Sequence, residues 1–207
     1  APSNFAVATS FSAPVLKHVI GNFSLTNFNS LTVVGFPALT TIGGNFTPNA
    51  VCTSAGNIFA IPVLTTIGGN YAPTNVVINT NTALQIIGGN FAPVSIAAVD
   101  SNTLSFSALT TIYGSFSFTG GTAVTAMSFP ALTYIGNAVS PTMNSITTFT
   151  LPALVTCGDF SPTSTSATSC NISALVTVNG NFTPTFSNVG FTSLSANALA
   201  TINGNFA

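Results

Sequence analysis

Very few side chains in this sequence could perform chemistry. The ionisable groups able to act near neutral pH are Lys17, His18, Asp100 and Asp159, and the thiols are Cys52, Cys157 and Cys170. A nucleophilic serine or cysteine needs a base within hydrogen-bond reach, and His18 is the single imidazole. Paired carboxylates would have to be Asp100 and Asp159, since there is no glutamate. One histidine and an odd number of thiols without metal-like spacing do not form a zinc set. No arginine and one lysine leave nothing to neutralise phosphates, which excludes nucleic acid as a partner. Neither catalysis nor a cofactor is expected.

Whether any of these groups can meet depends on the elements that carry them. The phrase FPALTTIGGNFTP (36–48) returns as IPVLTTIGGNYAP (61–73), TALQIIGGNFAP (82–93) and ISALVTVNGNFTP (172–184), so the chain is a repeat protein. Aligned on its leucine, nine anchors emerge, Leu16, Leu39, Leu64, Leu84, Leu109, Leu132, Leu154, Leu175 and Leu199, spaced 20 to 25 residues apart. Apolar residues stack at fixed offsets around them, as in Leu31, Val34, Phe36, Leu39, Ile42 and Phe46. The two-residue step from Val34 to Phe36 marks a short strand, and no stretch has capped helical periodicity. The pattern predicts an all-β, right-handed parallel β-solenoid of about nine coils of ~23 residues, a single unit over 1–207 without long helices. At a ladder spacing of ~4.8 Å the coils make a rod of roughly 43 Å. Asp100 then falls roughly 15 to 20 Å from His18 and Asp159 farther still, so no catalytic triad closes.

Individual coils depart from the phrase in places. The fourth is shortest and carries Asn79 and Asn81 where its neighbours are apolar, which predicts a local kink. The sixth reads Gly136-Asn137-Ala138-Val139, and the run TSTSATS (163–169) reads as a loop between two coils. Cys157 and Cys170 fall in different apolar columns, too far apart along a coil for a disulfide, and are expected as buried free thiols. Cys52 falls in a loop and is the thiol to test for reactivity.

Two surface features remain. The pairs Gly44-Asn45, Gly69-Asn70, Gly89-Asn90 and Gly180-Asn181, with Gly21-Asn22 and Gly204-Asn205, read as a structural corner. Both residue types tolerate positive φ, and stacked asparagines can form a hydrogen-bonded ladder. The second position after the anchor reads His18, Thr41, Thr66, Ile86, Thr111, Tyr134, Thr156, Thr177 and Thr201, an outward column and the candidate binding surface. Threonine there serves strand propensity and solubility, or supplies a flat uncharged array for polysaccharide or ice. The adjacent position (Thr40, Thr65, Thr110, Thr133) is expected on the opposite side of the strand, which weakens ice binding. His18 and Lys17 read as solubilising groups or a binding point. Asn22, Asn45, Asn171 and Asn181 open glycosylation sequons, which matter only in a eukaryotic secretory pathway.

The residues Phe129-Pro130-Ala131-Leu132-Thr133-Tyr134-Ile135-Gly136 and Leu151-Pro152-Ala153-Leu154 resemble the leucine-rich repeats of the BspA type found in bacterial surface antigens. The LTTIGGNF form is similar to the receptor L-domain repeats of fungal cell-wall proteins. Both resemblances imply an extracellular, surface-attached, non-enzymatic protein of adhesion or recognition. Mean hydropathy is +0.62, yet Thr, Ser, Asn, Gly and Pro interrupt every apolar run well short of the ~20 residues of a spanning helix, so membrane insertion is not expected. Ala1-Pro2 matches Ala72-Pro73, and the end at Gly204-Asn205-Phe206-Ala207 matches Gly89-Asn90-Phe91-Ala92, so neither end reads as a cap, which is expected either of a segment of a longer solenoid or of a subunit that stacks head to tail. The expected role is a structural or adhesive component of an extracellular assembly (a surface fibre, sheath, or viral tail fibre or decoration) at a cell or virion surface. It would stack head to tail or laterally with itself, or contact a glycan or cell surface. The alternatives are a monomeric glycan- or receptor-recognition module and, less favoured, an ice-binding protein.

Overall fold

Three residues after each anchor leucine stands an isoleucine, valine or cysteine that must be buried, and strand alternation turns the preceding residue outward. The computed structural model describes residues 9–28, 30–51, 58–78, 83–98, 103–119 and 124–207. In it this alternation repeats as a nine-stranded parallel sheet, the anchor ladder, running His18–Val19, Thr41–Ile42, Thr66–Ile67, Ile86–Ile87, Thr111–Ile112, Tyr134–Ile135, Thr156–Cys157, Thr177–Val178 and Thr201–Ile202. Equivalent positions pair, Thr41 with Thr66 and Ile42 with Ile67. Every strand pairing is parallel and no helix occurs among the described residues, so the chain is an all-β parallel solenoid.

Two more ladders complete each turn. The pre-anchor ladder has three strands in the first coils (Ser10–Ser12, Val33–Gly35, Ile58–Ala60) and five in the later ones (Thr103–Ser105, Ala126–Ser128, Thr148–Thr150, Ser169–Asn171, Ser193–Ser195). The post-corner ladder is likewise split into four strands (Thr26–Phe28, Asn49–Val51, Thr74–Ile78, Ala97–Ala98) and three (Thr142–Met143, Thr163–Ser164, Thr185–Phe186). Both splits border residues outside those described, and the anchor ladder runs through all nine coils. Asn79 and Asn81, assigned to a kink, lie outside the described residues, as do Ala1, Pro2, Cys52 and Asp100.

Stacked coils place equivalent side chains one ladder step apart, a spacing that suits offset aromatic rings. Phe23, Phe46, Tyr71, Phe91 and Phe116 stack with ring centroids 4.9 to 5.4 Å apart. Val139 interrupts the column, which resumes with Phe160, Phe182 and Phe206. Phe106 and Phe129 pack edge-on against it. The hydroxyl of Tyr71 is buried inside this stack without a hydrogen-bond partner among the described residues, and burial raises its pKa. Cys157 and Cys170 are free and buried, as expected. Desolvation pushes both thiols up to about 12, with Asp159 adding to the effect on Cys157.

Two expectations are corrected. The Gly-Asn corner does not use positive φ, since no described glycine adopts it and the described non-glycine residues that do are Asn27, Ala50, Asn75 and Ser95, in register on the post-corner side. Glycine is needed for room instead. A Cβ on Gly44 would press on Asn22 Oδ1 and the Gly21 backbone, and one on Gly68 would press on the Gly43 carbonyl. The TSTSATS run is no simple loop, because it supplies Thr163–Ser164 and opens Ser169–Asn171. Ser164 is buried at its centre. Its hydroxyl donates to the Met143 carbonyl at 2.7 Å and accepts from the Ser166 and Ala167 amides, which satisfies it in an apolar column.

Candidate functional site

The outward column predicted from sequence is present in the anchor ladder. His18, Thr41, Thr66, Ile86, Thr111, Tyr134, Thr156, Thr177 and Thr201 pair consecutively, and each precedes an inward residue. Thr41, Thr66, Thr111, Thr156 and Thr177 are half-buried by their neighbours, and Tyr134 and Thr201 are exposed. His18 closes one end of the column, its Nδ1 lying 2.7 Å from Thr41 Oγ1. It is therefore engaged with the first threonine of the column as well as adding polarity.

The adjacent position differs from expectation. Each anchor strand is two residues long, so the residue before it belongs to the bend after the leucine and also turns outward. Thr40 and Thr65 are half-exposed, and Thr110 and Thr133 are exposed. Their hydroxyls donate to the previous coil, Thr40 to the Lys17 carbonyl at 3.0 Å, Thr65 to Thr40 at 3.1 Å, Thr110 to Gln85 and Thr133 to Thr110 at 3.2 Å. With the hydrogen committed inward, each oxygen presents lone pairs to solvent, so this second column acts as fixed acceptors.

The corner asparagines form the expected ladder, though through the backbone. Asn22 Oδ1 accepts from the Asn45 amide, Asn45 from Asn70, Asn70 from Asn90 and Asn90 from Ser115, at 2.7 to 2.8 Å. The ladder lapses over Ser115 and Ala138, the second of which has no side-chain acceptor to offer. It resumes where Asp159 and then Asn181 accept from Asn181 and Asn205. Asn45, Asn70, Asn90 and Asn181 are thus corner supports, with Gly44, Gly69, Gly89 and Gly180 packed beside them.

A second hydroxyl surface is absent from the sequence-level expectations. In the later strands of the pre-anchor ladder, Thr103–Ser105 onward, the middle residue points in and both flanking ones point out, as in Thr148-Phe149-Thr150 and Ser193-Leu194-Ser195. An exposed threonine precedes the strand in several coils. Thr147 donates to the Thr125 carbonyl, Thr168 to Thr147 and Thr192 to Thr168, at 3.0 to 3.1 Å. The signal in the sequence is a hydroxyl residue on each side of one apolar residue, six and four residues before the anchor with the apolar residue five before it.

Among the described residues the ionisable groups do not converge. His18 and the strand that leads to Asp159 are six steps apart in the anchor ladder, roughly 29 Å at the usual spacing. Among the described residues no group of His, Cys and Asp could hold a metal ion, and no helix is long and apolar enough to cross a membrane. Comparison with protein-family models, with curated proteins and with solved structures found no match.

Proposed function

We propose that this chain is a non-enzymatic structural and adhesive component of an extracellular assembly, such as a surface fibre, a sheath or a virion decoration, and that it binds through its uncharged outer columns. The observation that supports this most is the unbroken nine-stranded ladder with threonine at six of its nine outward positions and fixed hydroxyl acceptors beside them. A rigid, periodic, uncharged surface suits a partner that is itself extended and repetitive. The near absence of charge also removes the repulsion that keeps rods apart, which favours lateral association with copies of itself. The likeness of residues 129–136 to surface-antigen repeats points to the same setting. Electron microscopy of the purified chain, with adsorption assays on insoluble polysaccharides, intact cells and ice, tests the reading. Filaments, bundles or saturable adsorption are expected, whereas isolated rods that adsorb to none of these surfaces overturn it.

One observation favours ice as a second reading. Thr40-Thr41, Thr65-Thr66 and Thr110-Thr111 present both members outward, so the paired columns that an ice face requires exist in three coils. Thermal hysteresis measured on the wild-type chain decides it.

A further inference from the structure

In the middle of the rod an exposed aromatic pair breaks the repeat on its outer side in a manner that burial does not explain. Tyr113 occupies a position that is glycine in the coils on either side, Gly88 and Gly136, and Tyr134 takes a threonine position in the next coil. The two rings are 59% and 39% exposed, with centroids 6.1 Å apart and planes at 63°. The flanking glycines put no side chain against Tyr113, so its ring packs on Tyr134 and otherwise faces outward. Val155 and Val176 continue the apolar surface along the adjacent column, at 45% and 39% exposure. Large aromatic side chains left in water where the repeat calls for Gly and Thr mark a recognition surface, since they contribute nothing to the core.

The surroundings define the chemistry of the occupant. Thr110 and Thr133 lie beside the rings and, with their hydrogens committed to the backbone, accept hydrogen bonds from an incoming donor. Next to the pair, Ser115, Gly136, Asn137, Ala138, Gly158 and Asp159 line a shallow polar notch, opened where Ala138 shortens the asparagine column. The charged group of the notch is the Asp159 carboxylate, which accepts from the Asn181 amide at 2.6 Å. No arginine exists, and the single lysine stands in the first coil. An apolar ring face, hydroxyl acceptors and a polar notch with a negative group fit a ligand with an apolar C–H face and many hydroxyl donors. They disfavour an anionic ligand, which would meet Asp159 without a compensating cation. We infer that Tyr113 and Tyr134 form a binding platform for a neutral polysaccharide, a sugar ring stacking on the aromatic pair while its hydroxyls bond to Thr110, Thr133 and the notch. This specifies the ligand class of the adhesive surface proposed above and rests on that reading.

The test is depletion of the full chain by microcrystalline cellulose and by chitin, with calcium alginate gel as the anionic comparison. The variants are Y113A/Y134A and the conservative Y113F/Y134F, each checked for wild-type thermal unfolding. Both sites are exterior, so folding is expected to be retained. Wild type is expected to bind at least one neutral polymer. The alanine pair should lose at least about tenfold in affinity, the Phe pair should stay within about threefold, and alginate should remain unbound. The chain lacks tryptophan and Tyr71 is buried beyond the reach of a ligand, so the change in tyrosine emission expected on titration with cello- or chito-oligosaccharide reports the pair. The inference is overturned by an alanine pair that binds as wild type, by alginate as the preferred polymer, or by failure of wild type on both neutral polymers. In each case, adsorption to cells or ice, or filament formation, would leave the broader adhesive reading standing.

Discussion

The inner and outer sides of the same coils obey different rules. Inside, the column from Phe23 to Phe116 is aromatic at every coil and stacks ring on ring, and its neighbour reads Val, Ile or Cys throughout. Outside, the threonine column tolerates His18, Ile86 and Tyr134 without any break in the ladder beneath. The difference follows from packing. An inward residue touches its equivalents above and below at fixed spacing, so size and shape are constrained, whereas an outward residue meets mostly water. Information about the fold therefore resides inside the rod and information about partners outside it, and departures from the repeat have opposite meanings on the two sides.

Substitutions ranked by expected effect probe that contrast. Phe91 is fully buried between Tyr71 and Phe116 and contacts Phe106 and Phe129, so Phe91→Ala should cost about 3 to 5 kcal/mol in chemical denaturation. At the corner between the two sides, a Cβ at position 69 would meet the Gly44 carbonyl carbon at 2.9 Å as well as Asn45 Oδ1. Gly69→Ala is expected to cost about 1 to 3 kcal/mol by overpacking; a neutral result would show that the coils can separate locally. Inside again but in the other direction, Tyr71→Phe removes a buried hydroxyl and should stabilise by about 1 kcal/mol, seen as a raised Tm. On the outside, Thr111→Ala removes only a side chain whose hydroxyl lies 3.4 Å from that of Thr110, and should change stability by less than about 0.5 kcal/mol. A large loss there would erase the distinction between the two sides.

The inner side was legible from sequence because apolar identity at fixed offsets is a direct record of contact. Leu39, Ile42 and Phe46 were placed correctly in the core by spacing alone, as were the two buried cysteines. The outer side was legible only in part. The column through Thr41 followed from strand alternation, but the companion column through Thr40 did not, because alternation fails where a strand is only two residues long. The hydroxyl face around Thr148 and Thr150 was hidden among other serines and threonines of a low-complexity composition. The glycines were located correctly and explained wrongly. Crowding between coils is a property of stacking, and a single repeat does not display it, whereas the φ preference of glycine is local. Ser164 was missed for a similar reason, since only tertiary contact supplies the hydrogen bonds that let a serine replace an apolar residue.

The most direct test of binding through an uncharged surface is the salt dependence of adsorption. The full chain would be titrated onto whichever polysaccharide, cell or ice surface retains it, from low salt to about 1 M, where charge interactions are screened within a few ångströms. Adsorption that stays constant or strengthens with salt is the expected result. Adsorption that falls steeply with salt would show that the few charged groups, and not the hydroxyl and tyrosine columns, hold the partner, and would contradict the central claim.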